Sequence, residues 1–146
     1  MITENIANRS AVQDVALFKT EIKKADQSDI SSISNWFIED SSKFNYSHQS
    51  KWKEWWTSKL EKSSEIEIYK LCFANSNTPI GIIALRPIRD LLNLGRRTLY
   101  ICGIRVSPNF CYENKEVREI KGIGTKLVKF AANLALQKKY EALGLT

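Results

Sequence analysis

The feature that most constrains the fold lies in the last third of the chain. Thr98 to Val106 is a dense run of apolar and strand-favouring residues, and Ser107-Pro108 closes it because proline cannot continue a strand ladder. Gly122 to Tyr140 then carries Leu127, Ala131, Leu134 and Ala135 at helical spacing, with Val128 and Phe130 flanking and Lys126, Lys129, Lys138 and Lys139 pointing elsewhere. Ala142-Leu143-Gly144-Leu145-Thr146 reads as the start of another strand, where the chain stops. Strand, helix, strand in that order predicts a parallel crossover.

The rest of the chain fits around that unit. Phe18, Thr20 and Ile22 alternate with Lys19, Glu21 and Lys23, the period of a half-buried strand. Asp26 or Ser28 is placed to cap a helix whose Ile30, Ile33 and Phe37 share a face. Asp40 to Tyr46 is a polar break. A second helix is expected from about Gln49 to Lys62, with Trp52, Trp55, Trp56 and Leu60 on one packing side. Ile66 to Ala74 and Ile80 to Leu85 read as a hairpin around Asn75-Ser76-Asn77-Thr78-Pro79. Arg86 to Leu94 is expected as a loop or short helical turn, and Asn109 to Ile120 as a polar loop. The predicted order is β-α-α-β-β-β-α-β, an α/β or α+β layer fold with one sheet covered by helices. At 146 residues it is one domain over 18–146 behind an N-terminal extension, 1–17.

Composition narrows the function classes. No apolar run approaches the roughly 20 residues that span a bilayer. Met1 to Ala16 lacks the basic start and apolar stretch of a secretory signal, so a cytoplasmic protein is expected. Cys72, Cys102 and Cys111 are odd in number and match no zinc spacing; Cys72 and Cys102 sit in strand-like runs as small apolar filler. His48 is the sole histidine, so no metal site is expected. The net charge of +6 is uneven: −3 over residues 1–40, +3 over 41–95 and +6 over 96–146. A basic final third suits a polyanionic ligand, coenzyme phosphates or nucleic acid, or else a solvated lysine-rich helix face.

The candidate site is Lys121-Gly122-Ile123-Gly124-Thr125-Lys126, between strand and helix. Glycines let a backbone approach a ligand closely, and the first helical turn leaves amide N–H groups without partners. Those donors and the positive end of the helix dipole attract phosphate, with Lys121 and Lys126 adding charge. A dinucleotide fingerprint needs a third glycine where Leu127 stands, and a P-loop needs a Gly-Lys-Ser/Thr that does not occur.

These segments resemble the GNAT superfamily of N-acetyltransferases. The family's pattern is a strand ending hydrophobic-x-Val-x-Pro, a loop, then Gln/Arg-x-x-Gly-x-Gly/Ala opening a long helix. Ile104-Arg105-Val106-Ser107-Pro108 and Glu119-Ile120-Lys121-Gly122-Ile123-Gly124 match it, with Glu119 at the Gln/Arg position, Arg118 beside it and a longer loop holding Glu113, Lys115 and Glu116. The resemblance implies that acetyl-CoA is the cosubstrate, that the strand splays at Ile104 and Val106 to bind the pantetheine arm, and that the pyrophosphate sits on the amides of Lys121 to Lys126. It implies direct attack of an amine on the thioester. Where family members often carry a glutamate base, Thr98 to Cys102 offers Tyr100; Glu67 and Glu113 are further candidates. The family continues past its fifth strand with a helix and two strands. The resemblance therefore implies a C-terminally shortened sheet here, without the usual tyrosine acid and with an edge open to a homodimer.

Two other readings stand beside this. One is a binding module that keeps the coenzyme turn without acid or base, sensing acyl-CoA or holding a partner. The weaker one is a nucleic-acid-binding protein, which requires Trp52, Trp55 and Trp56 exposed beside lysines. Acyl-CoA binding requires those tryptophans packed and Gly122 to Thr125 facing a cleft.

Overall fold

The computed structural model describes residues 13–41, 46–62, 65–90, 96–110 and 120–145. The elements are β1 (Gln13–Asp14), β2 (Thr20–Lys24), α1 (Ile30–Ser41), α2 (Tyr46–Lys62), β3 (Glu67–Phe73), β4 (Gly81–Asp90), β5 (Arg96–Val106), β6 (Ile120–Lys121), α3 (Ile123–Gln137) and β7 (Ala142–Leu145). Five strands form one sheet in the order β2-β3-β4-β5-β7, antiparallel except for the parallel β5–β7 pair. The predicted alternation of strands and helices is present, and α3 makes the parallel crossover from β5 to β7.

The sheet divides the core in two. On one face α3 packs Ile123, Leu127 and Ala131 against Leu71, Ile83, Leu85, Leu99 and Ile101. On the other α1 and α2 pack Ile33, Trp36, Phe37 and Trp56 against Ile68, Ile82 and Ala84. Successive strand residues point to opposite faces, so Ile82-Ile83-Ala84-Leu85 feeds both cores and all four are 0% exposed. That is why β4 reads as an unbroken apolar run.

Local chemistry sets the ends. Asp26 accepts the Ser28 amide, and the Asp29 carboxylate accepts the Asp26 amide at 3.0 Å, a reciprocal cap ahead of α1. Hydrogen bonds from Ser28 hold the Asp26 carboxyl below its usual range. Asp29 is buried, and Lys70 Nζ meets its Oδ1 at 2.8 Å while donating to the Asn77 carbonyl at 3.1 Å. At the end of α3, Lys139 takes a left-handed φ of 59°, Tyr140 N–H bonds the Ala135 carbonyl and Lys139 N–H the Leu136 carbonyl. This paired closure stops the helix at Gln137, before the expected Tyr140.

Two further expectations are revised. Arg86 to Asp90 is not loop: β4 runs through Pro87 to Asp90, paired with Arg96 to Tyr100. β3 accompanies β4 only to Leu85, so Pro87 lies where the strand has one neighbour and a missing N–H is tolerated. Trp52 lies at the exposed margin of the packing side of α2: its ring meets Trp55 edge-on at 5.9 Å but it is 39% exposed, while Trp56 is 2% exposed and Trp55 half-buried. Residues 13–17 pack on the domain: β1 pairs with β6 in parallel and Val15 is 1% exposed in the α3-side core.

Candidate functional site

The strand that leads to the site is shaped by its two neighbours. Its ladder with β7 covers Thr98 to Ile101, whereas its ladder with β4 continues to Val106. Ile104 and Val106, half-buried on the α3 side, therefore lie where β7 does not reach. Between the two stretches the β4 register shifts: Leu85 faces Ile101 and Ala84 faces Gly103, leaving Cys102 as the extra residue of a bulge. Gly103 allows a close approach there: a Cβ would stand 3.0 Å from the Trp56 ring, a tight contact, and 3.5 Å from Trp55. Two tryptophans of α2 thus lie across the bulge.

The turn into α3 is built on close packing. A Cβ at Gly81 would fall 2.6 Å from Ile123 Cγ2, so the helix start sits directly on β4. Gly122 has φ 87°, a conformation that glycine adopts at no steric cost, and its carbonyl accepts the first helical bond from Lys126 at 2.9 Å. No side chain caps this helix and no acidic residue lies in its first turn. Gly124 faces open space, with nothing within 4 Å of where its Cβ would be. Lys121 and Thr125 are exposed and Lys126 half-buried. The sequence-predicted turn is thus a bare helix N-terminus, open at Gly124 and flanked by two lysines, and its free donors suit an anionic group. One neighbour has the opposite sign: both carboxylate oxygens of Asp14 lie against Gly122.

Tyr100 and Glu67 are not brought together. Tyr100 alternates with the buried Leu99 and Ile101, so it lies on the α1–α2 face, its ring against Gly144 of β7, where a Cβ would be 2.7 Å from Cε1. Glu67 precedes Ile68 and points to the α3 face, where it accepts from the Tyr69 hydroxyl at 3.1 Å and pairs with Lys24 at 3.7 Å. Burial and the Glu67 charge push the Tyr69 phenol up to about 12. Cys72 is fully buried, and burial raises its thiol, which makes it unreactive filler. Glu113, Lys115, Glu116, Arg118, Glu119 and Cys111 lie outside the described residues, as does the side chain of His48 on α2.

Sequence reasoning missed the Trp55–Gly103 and Trp56–Gly103 contacts and the Asp14–Gly122 contact. A glycine inside an apolar strand is the one signal for the first. A separate cleft of about 410 Å³, lined by Trp36, Phe73, Thr78, Ser107 and Phe110 among others, lies on the α1 side and touches the site strand only past its end. Among the described residues no group of three or more His, Cys, Asp or Glu could hold a metal ion, and no helix is long and apolar enough to cross a membrane.

The acetyltransferase (GNAT) family matches residues 30–146 of the chain. No curated protein matches it by sequence. Among solved structures, a ribosomal-protein-alanine N-acetyltransferase from Brucella melitensis biovar Abortus is similar at TM-score 0.57 and 13% identity, over 87% of this chain and 79% of that one. A transcriptional regulator from Bacillus halodurans is similar at TM-score 0.61 and 18% identity, over 87% and 81%. An aminoglycoside acetyltransferase from an uncultured soil metagenomic sample is similar at TM-score 0.57 and 15% identity, over 91% and 80%. At these identities the likeness is one of fold.

Proposed function

Because the chain belongs to the acetyltransferase (GNAT) family, we propose that it transfers an acetyl group from acetyl-CoA to a primary amine of a small molecule or peptide in the cytoplasm. One observation carries this reading: β5 extends past the reach of β7 and is followed by a bare helix N-terminus open at Gly124. An extended ligand arm ending in phosphates suits that combination.

Acetyl-CoA supplies an activated thioester carbonyl; a C–N bond forms there, the C–S bond breaks, and a proton leaves the nitrogen while another reaches the sulfur. In this reading the Ile104-Arg105-Val106 backbone aligns the pantetheine arm. The amides from Lys121 through Gly122, Ile123, Gly124 and Thr125 to Lys126 hold the pyrophosphate, helped by the lysine charges and the helix dipole. Trp55 and Trp56, packed over Gly103, exclude water from the α2 side of the bulge. Tyr100 is the better placed of the two proton-transfer candidates among the described residues, since it sits beside the Cys102 bulge where β5 and β7 part. Glu67 is on the far face and already engaged by Tyr69 and Lys24.

Calorimetric titration with acetyl-CoA, with free CoA and added salt as controls, tests the reading. Saturable binding that Gly124→Glu removes is expected, because that side chain puts a carboxylate into the open space at the turn. Absence of binding at millimolar ligand would overturn it. Tyr100→Phe is expected to lower kcat, read from free thiol release with an amine panel, while leaving acetyl-CoA affinity unchanged.

A further inference from the structure

Residues 13–17 form a short strap on the rim of the turn. Gln13 pairs with Ile120 and Asp14 with Lys121, in parallel, immediately before Gly122. Asp14 Oδ1 accepts the Ala16 N–H at 2.9 Å, and Val15 is driven into the α3-side core at 1% exposure. The carboxylate is therefore held by a backbone bridge on one side and a core anchor on the other. A Cβ on Gly122 would stand 3.1 Å from its Oδ1 and 3.3 Å from its Oδ2. Asp14 itself is exposed, so its charge faces the solvent from which a ligand arrives.

The first turn of α3 contains no acidic residue and no capping side chain. A helix start of this kind is stabilised by negative charge, and here the charge comes from a distant part of the chain. We propose that Asp14 is an internal competitor for the coenzyme phosphates: the docked strap places a carboxylate against the glycine turn and lowers coenzyme affinity. This rests on the assignment of Lys121 to Lys126 as the phosphate-binding turn. A pyrophosphate on the amides of that turn meets a like charge held within a few ångströms. Coenzyme binding then shifts Gln13–Asp14 off Ile120–Lys121 or proceeds against the repulsion.

Asp14→Asn isolates the charge, because the amide keeps an oxygen to accept the Ala16 N–H. Free CoA is titrated into wild type, Asp14→Asn and Asp14→Glu at low and at high salt, each protein first checked by thermal melting. Asp14→Ser, whose hydroxyl also caps the turn, replaces the amide variant if that variant melts early. The neutral variant is expected to bind CoA about five- to tenfold more tightly at low ionic strength, as removal of one nearby charge implies. The gain shrinks with added salt, since that charge is exposed. Asp14→Glu, which keeps the charge, stays near wild type. Equal or weaker binding by the neutral variant, when wild-type binding is lost in Gly124→Glu, overturns the competition while leaving the coenzyme site standing. If no protein binds CoA, the coenzyme assignment falls and the competition with it.

Discussion

Gly81→Ala, in β4, and Gly124→Ala, in the first turn of α3, exchange the same two residue types, yet they are expected to act in opposite directions. At Gly81 the added methyl would meet Ile123 Cγ2 at 2.6 Å and Leu127 Cδ1 at 3.1 Å, against ordinary carbon contacts of about 3.5–4.0 Å. Ile123 and Leu127 are 2% and 0% exposed, so neither has free space to turn into. Overpacking of this kind costs about 1–3 kcal/mol. The reduced entropy of the unfolded alanine chain offsets about 0.4–1 kcal/mol of that. The clash wins, with a net loss of about 1–2 kcal/mol and a melting temperature lower by about 3–8 °C for a chain this long. At Gly124 nothing lies within 4 Å, and alanine in the first turn of a helix gains about 0.5–1 kcal/mol over glycine. Urea denaturation followed by tryptophan fluorescence compares both variants with wild type. A Gly81→Ala midpoint at or above wild type would refute the packing of α3 on β4, and with it the placement of the turn proposed to bind the coenzyme.

Other perturbations have equally definite signs. Lys139 holds a left-handed φ of 59° without being glycine, so Lys139→Gly should stabilise the closure of α3 by about 1 kcal/mol in the same denaturation assay. Lys70→Met leaves the buried Asp29 carboxylate without its counter-charge and should cost about 3–5 kcal/mol in urea denaturation. The Tyr69 phenol titrates at about 12 when folded, above its ordinary 10.0, so its contribution is complete below pH 10 and is lost as pH rises toward 12. Tyr69→Phe should therefore show a shallower loss of stability across that interval than wild type in alkaline denaturation.

Periodicity determined much of this protein from the sequence alone. Alternation marked the strands, helical spacing marked α3, and the closing Ser107-Pro108 and opening Gly122-Ile123-Gly124 marked the ends that frame the site. These are local signals, because a strand's face or a helix's stripe is written in residues a few positions apart. What tertiary structure decided depends on partners distant in the chain. Pro87 sits within β4 because β3 stops at Leu85, which no local pattern around Pro87 records. Tyr100 and Glu67 both stand as candidates in the sequence, Tyr100 first, until register puts them on opposite faces of the sheet. Trp52, Trp55 and Trp56 share a helix, yet only the last is fully covered, because Gly103 leaves room for its ring. Asp14 and Gly122 are more than a hundred residues apart, and only the pairing of β1 with β6 brings that carboxylate to the mouth of α3. Local chemistry wrote the glycine turn; long-range pairing decided what stands beside it.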